Sequence, residues 1–113
     1  MTTNVLISNL EKLLGGPRDG ALLRYSLGNE HLKAGNLEQA VAHLRTAVER
    51  DARHSAAWKL LARALNESGR PGEALAAYEQ GILVAEARGD IQAAREMTVF
   101  ARRLRRQMPA ADD

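Results

Sequence analysis

Laid against itself at a shift of 34 residues, the chain repeats. Leu27 meets Leu61, Gly28 meets Ala62, Gly35 meets Gly69, Ala40 meets Ala74, Leu44 meets Tyr78 and Ala47 meets Gly81. Small residues recur where two helices must approach closely, and large ones recur where a gap must be filled. A period of this length holds one supersecondary unit, which cannot bury its apolar face alone and must stack on its neighbours. The two copies, 21–54 and 55–88, are therefore expected to form one domain spanning residues 1–113, with covers at 4–14 and 90–108.

Glycine and proline mark the joints between elements. Leu6, Ile7, Leu10, Leu13 and Leu14 fall at helical spacing in a first helix over 4–14, and Gly15-Gly16-Pro17 stops it. Asp19 is placed to cap a second helix over about 20–33, closed by Gly35. Asn36 with Gln39 resembles a capping box for a third helix reaching about Arg50. Ser55 is placed to cap a fourth that runs to Gly69, and Pro71 suits the first turn of a fifth, where a missing N–H is harmless. Gly89 breaks that fifth helix after Arg88, Asp90 caps a sixth, and Pro109 ends it. Composition agrees with helices throughout. Hydrophobic residues make up 45% of the chain yet only 4% is aromatic, so Ala and Leu, both strong helix formers, supply most of the apolar content. The expected class is all-α.

The repeat resembles the tetratricopeptide repeat, whose pattern runs Trp-x2-Leu-Gly-x2-Tyr, then Ala, an aromatic and Ala. The first copy supplies Leu27-Gly28, Ala40 and Ala47, with Leu44 in the aromatic slot; the second supplies Trp58, Leu61, Ala62, Ala74 and Tyr78. Arg24 departs from the pattern at the Trp, His31 and Leu65 at the Tyr, and Gly81 at the last Ala; Ala52 and Glu86 replace the usual proline. The resemblance covers 68 of 113 residues. It implies a short right-handed α-solenoid of two helix pairs flanked by N- and C-terminal capping helices. Gly89-Asp90 followed by Ala94 also resembles the start of a third repeat's second helix.

In this family the first helix of each pair lines a concave groove that holds a peptide or a segment of a partner protein. The corresponding stripe here is Leu22, Tyr25, Asn29 and Lys33, then Ala56, Lys59, Arg63 and Asn66. It offers an aromatic, two amides and three cations, and no acid. The resemblance thus implies an adaptor or scaffold whose binding residues are Tyr25, Asn29, Lys33, Lys59, Arg63 and Asn66, favouring a carboxylate-bearing peptide through charge-assisted hydrogen bonds. The family's carboxylate clamp for acidic chaperone tails is not supported, because only Asn29 fits; Tyr25 stands where the Lys belongs and Leu60 where the second Asn belongs.

Arg102, Arg103, Arg105 and Arg106 form the one dense charge run. They could bind an anionic surface or nucleic acid, or simply complement a helix C-terminus. Near balance, 16 Lys+Arg against 14 Asp+Glu, gives no general attraction to nucleic acid. Weak self-association through an end helix is a further expectation of a two-repeat stack. Without cysteine there is no disulfide or thiolate metal site, and His31, His43 and His54 show no metal-ligand spacing. His31 is expected to be a satisfied interior histidine, and Trp58 a core residue. Arg88-Gly89-Asp90 spells an adhesion tripeptide, but a helix stop followed by a cap explains all three residues. No nucleophile with base and orienter appears, and the nearest acids, Glu30 and Glu67, read as solvated. Neither catalysis nor a cofactor is expected. Short apolar runs and an opening Met-Thr-Thr-Asn without a basic signal region point to a cytoplasmic protein with no membrane insertion.

Overall fold

Three turns of one construction set the helices apart. At each, a glycine takes positive φ (Gly35 +80°, Gly69 +80°, Gly89 +74°), which L side chains avoid. The residue after it donates its N–H back across the helix end: Asn36 to the His31 carbonyl, Arg70 to Leu65 and Asp90 to Ala85, at 2.8, 2.9 and 2.8 Å. This is the Schellman arrangement, satisfying carbonyls that the helix leaves free. The computed structural model describes residues 4–109, and these hold six helices: α1 Val5–Glu11, α2 Ala21–Lys33, α3 Leu37–Arg50, α4 Ser55–Glu67, α5 Pro71–Ala87 and α6 Ile91–Gln107. They form an all-α repeat solenoid 48 × 35 × 23 Å in extent.

Consecutive helices pack as hairpins, and α2 also touches α4 as α4 touches α6, while α3 and α5 stay apart. That pattern puts α2, α4 and α6 in an inner row and lets α3 and α5 fan out on the convex side. So α6 takes the place of a leading helix, not that of a third repeat's second helix. Two glycines allow the closest approaches. A Cβ on Gly28 would stand 2.4 Å from Leu44 Cγ, and one on Gly81 would stand 2.6 Å from Met97 Sδ and 3.0 Å from Trp58 Cβ. The main core runs from Leu32 through Leu44, Leu61, Leu65 and Tyr78 to Met97, Ala101 and Leu104. A separate cluster of Ile7, Leu23 and Leu27, with Leu10, Leu13 and Leu14 against it, joins α1 to α2.

Several expected caps are replaced by other contacts. Asn4, read as the first helical residue, is instead the N-cap of α1, its Oδ1 accepting from the Ile7 N–H at 3.0 Å, and α1 ends at Glu11 while residues 12–14 continue as turns. Gly20, not Asp19, is the N-cap of α2. The Asp19 carboxylate instead accepts from Arg24 Nε and Arg50 Nη1, both at 2.8 Å, and from the Gly15 N–H at 2.9 Å. Asn36 stands at the N-cap of α3 without a side-chain cap bond, so no capping box forms; its amide turns to His31 Nδ1 at 3.1 Å. His54 caps α4, Nδ1 accepting from the Ala57 N–H, which frees Ser55 Oγ to donate to Asp90 Oδ2 at 3.1 Å. Pro71 opens α5 as expected.

Candidate functional site

The inner row leaves a cleft of about 510 Å³ between α4 and α6, floored by Tyr78 of α5. Lys59, Arg63 and Asn66 enter it from α4, and Phe100 and Arg103 from α6. Helical spacing explains both sets. Residues 59, 63 and 66 recur at steps of four and three on α4, while 100, 103 and 107 make a second stripe on α6 beside the buried one of Met97, Ala101 and Leu104. Tyr78 and Phe100 stack with ring centroids 5.7 Å apart, and the Arg103 guanidinium lies 5.9 Å from the Phe100 centroid. Burial pushes the Tyr78 hydroxyl above its ordinary pKa, so it stays a neutral donor.

The cations here are not all free. Lys59 pairs with Glu96 at 3.1 Å and Arg63 with Glu67 at 2.8 Å, so the groove is not acid-free as its own stripe suggests. Arg103 makes no ion pair among the described residues, leaving the cleft one cation in excess.

The other half of the expected groove lies apart. Tyr25 is half-buried and stacks on His54, centroids 4.5 Å apart. Lys33 pairs with Glu30 at 3.4 Å, and Asn29 lies one turn before Lys33 on α2. Neither Tyr25, Asn29 nor Lys33 reaches the cleft. The Arg102–Arg106 run does not make one surface either. Arg103 faces the cleft, Arg105 pairs with Glu79 at 2.6 Å, and Arg102 lines the opposite side of α6. A helix turns ~100° per residue, so a run of four cations fans around it.

The histidines are placed without a common centre. His31 and His43 stack with centroids 5.5 Å apart, while His54 caps α4. His31 is buried as expected but only half satisfied, since Nε2 has no hydrogen-bond partner among the described residues. Burial, then the nearby Arg24 and His31, holds His43 below its ordinary pKa. Trp58 packs against the main core, its Nε1 donating to the Ala52 carbonyl at 2.8 Å. Sequence reasoning missed Phe100 and Tyr78 as cleft residues. Phe100 carried a signal, since it falls off the stripe of residues 97, 101 and 104.

Among the described residues no helix is long and apolar enough to cross a membrane. The tetratricopeptide-repeat family model matches residues 25–91. A TPR repeat-containing protein of Pseudomonas aeruginosa is 47% identical over 102 residues, covering 90% of this chain and 97% of that one. The solution structure of a Bordetella parapertussis protein superposes with a TM-score of 0.79 at 36% identity, over 95% of this chain and 91% of the other. A tetratricopeptide repeat domain protein of Salinibacter ruber gives 0.77 at 25% identity, over 84% and 96%. With its repeat legible in sequence, its helix pairs stacked and relatives alike over most of their length, the chain belongs to the tetratricopeptide-repeat family of protein–protein interaction modules.

Proposed function

We propose that this chain is an adaptor that holds a segment of a partner protein in the cleft between α4 and α6. The observation that carries the reading is the meeting of Lys59, Arg63 and Asn66 with Phe100 and Arg103 around one concavity. The aromatic pair offers an apolar floor, and the cations offer charge-assisted hydrogen bonds above it. The fitting ligand carries a carboxylate close to an apolar side chain. Since Lys59 and Arg63 already have acidic partners, Arg103 is the principal attraction, and the other two cations exchange Glu96 and Glu67 for the ligand. Tyr25, Asn29 and Lys33 continue the inner row and contact only a longer segment. Binding of nucleic acid by Arg102, Arg103, Arg105 and Arg106 is less favoured, because the four point around the helix.

A peptide array scanning acidic and apolar positions, read with wild type and with a Lys59→Ala/Arg63→Ala/Arg103→Ala variant, tests the proposal. Wild type should select acidic–apolar peptides, and the variant should bind them at least ~10-fold more weakly at unchanged helicity, as loss of charged hydrogen bonds implies. Equal binding by the two proteins would refute the cleft as the site.

A further inference from the structure

Charge is unevenly distributed along this chain. Residues 1–90 carry eleven cations and eleven acids, whereas α6 alone carries five arginines and one glutamate. Eight cations elsewhere or on the α5-facing flank are neutralised in ion pairs: Arg24, Lys33, Arg45, Arg50, Lys59, Arg63, Arg70 and Arg105. None of Arg95, Arg102 and Arg106 is paired among the described residues. Helical spacing sets these three on one side of α6 with Ile91 and Val99. That side holds a shallow depression of about 490 Å³, lined by Ile91, Arg95, Thr98, Val99 and Arg102, with Glu86 of α5 at one end. Ile91 and Val99 are 53% and 50% exposed there. Thr98 does not advertise its hydroxyl, which donates to the Ala94 carbonyl at 2.8 Å.

The inner row shows what belongs on such a side. α2 is covered by α3 and α4 by α5, each the helix that follows it. Among the described residues α6 has no follower. We propose that this face docks an amphipathic helix of a partner protein, apolar along one stripe and acidic on its flanks, in the position that α3 and α5 hold against α2 and α4.

Charge selects this occupant over the others. A second copy docking by the same face would set Arg95, Arg102 and Arg106 against their equivalents. Docking by its other end would bring the exposed Val5, Leu6 and Leu22, beside which α1 and the next turn supply Glu11 and Asp19, the latter already held by Arg24 and Arg50, against Lys12 and Arg18. Residues 109–113 carry two acids, Asp112 and Asp113, but no large apolar side chain to cover Ile91 and Val99. A phosphate backbone would make no use of Ile91 and Val99. Glu86 fixes the polarity: the acids of the incoming helix belong opposite Arg95, Arg102 and Arg106, away from the α5 end.

The test uses the full ¹⁵N-labelled chain and two synthetic helical peptides with the same leucine stripe, one flanked by Glu and one by Lys. The Glu peptide should shift the amide resonances of Ile91, Arg95, Thr98, Val99 and Arg102 and bind at least tenfold more tightly than the Lys peptide, a difference of about 1.4 kcal/mol or more. An Arg95→Glu/Arg102→Glu variant should lose that tenfold. So should Val99→Asp, while the Lys59/Arg63/Arg103 cleft variant should bind as wild type does. Arg63, Arg95, Val99, Arg102 and Arg103 are solvent-exposed and Lys59 is partly so, and thermal melts should confirm folding. Equal binding of both peptides, undiminished binding by Arg95→Glu/Arg102→Glu, or shifts confined to Lys59, Arg63 and Phe100 would overturn the proposal. So would α6 shifts that grow with protein concentration alone, which mark a second copy, or that vanish in Asp112→Ala/Asp113→Ala, which mark residues 112–113 as the occupant.

Discussion

The two ends of the stack finish it in opposite ways. α1 is 7 residues long, packs on α2 alone and belongs to a small cluster separate from the main core. What fixes it is polar: the turn after it is drawn down by the Asp19 carboxylate, 7% exposed, which joins the Gly15 backbone to Arg24 of α2 and Arg50 of α3. α6 is 17 residues long and sends Ala94, Met97, Ala101 and Leu104 into the main core, yet leaves its far side uncovered. From sequence both ends read as covers. In the structure α1 lies on α2 alone, whereas α6 also extends the inner row, makes one wall of the cleft and still offers a surface. A helix closes a solenoid when its outer face is polar; α1 still exposes Val5 and Leu6, and α6 exposes Ile91 and Val99 between arginines.

The largest expected effect that sharpens this contrast is on core packing. Met97→Ala empties a fully buried site beside Gly81 and Trp58 and should cost about 3–4 kcal/mol, lowering the whole unfolding transition. Ile7→Ala, in the satellite cluster, should cost about 2 kcal/mol or less, because α1 can release without α3–α6. Urea denaturation with amide exchange separates the two. Similar losses, or global unfolding in Ile7→Ala, would break the comparison.

A smaller effect attaches to the polar fastening. Hydrogen bonds from Arg24, from the Gly15 N–H and from Arg50 hold Asp19 well below the usual carboxylate range, against the opposing effect of burial. A depressed folded-state pKa contributes stability that is complete above the unfolded value of ~3.9 and is lost as pH falls toward the folded one. Asp19→Asn should therefore lower Tm by a constant amount from pH 5 to 8 and converge with wild type toward pH 2. Thermal melts across that range would check it, with amide exchange accelerated first in residues 5–20.

The smallest expected effect concerns His43. Its folded-state pKa lies below the ordinary value of 6.5, so the unfolded chain binds the proton more readily. Stability from this group is full above pH ~6.5 and declines as pH falls below it. His43→Gln should flatten the shallow slope of stability between pH 5 and 7, measured by denaturant titration. An unchanged slope would remove His43 from the account.

What was legible in the sequence was what depends on neighbours in the chain. Gly35, Gly69 and Gly89 stop helices because positive φ is a local demand, and Pro71 starts one for an equally local reason. Small Gly28 and large Leu44 announced close packing because their size classes recur at the repeat period, in Ala62 and Tyr78. What stayed illegible depends on partners brought together by stacking. Asp19 and Ser55 look like caps until Arg50, 31 residues on, and Asp90, 35 residues on, compete for them. The groove stripe lines the cleft at α4, because α6 arrives beside it; at α2 it lies apart, where Tyr25 meets His54 and Lys33 meets Glu30. The carboxylates that answer Lys59 and Arg63 lie on α6 and one turn further along α4, and no pattern of inner-row positions contains them.

The pattern of helix contacts described above also bears on how quickly the chain reaches its structure. Each helix touches only the next helix or the next but one, so forming a native contact never requires closing a loop longer than a hairpin or a helix pair. Low sequence separation between partners places such chains among those that fold in roughly microseconds to milliseconds. Because α4 and α5 lie in the middle, with Trp58, Leu61 and Tyr78 between them and their neighbours, this pair is the natural starting point, from which order can spread toward either end.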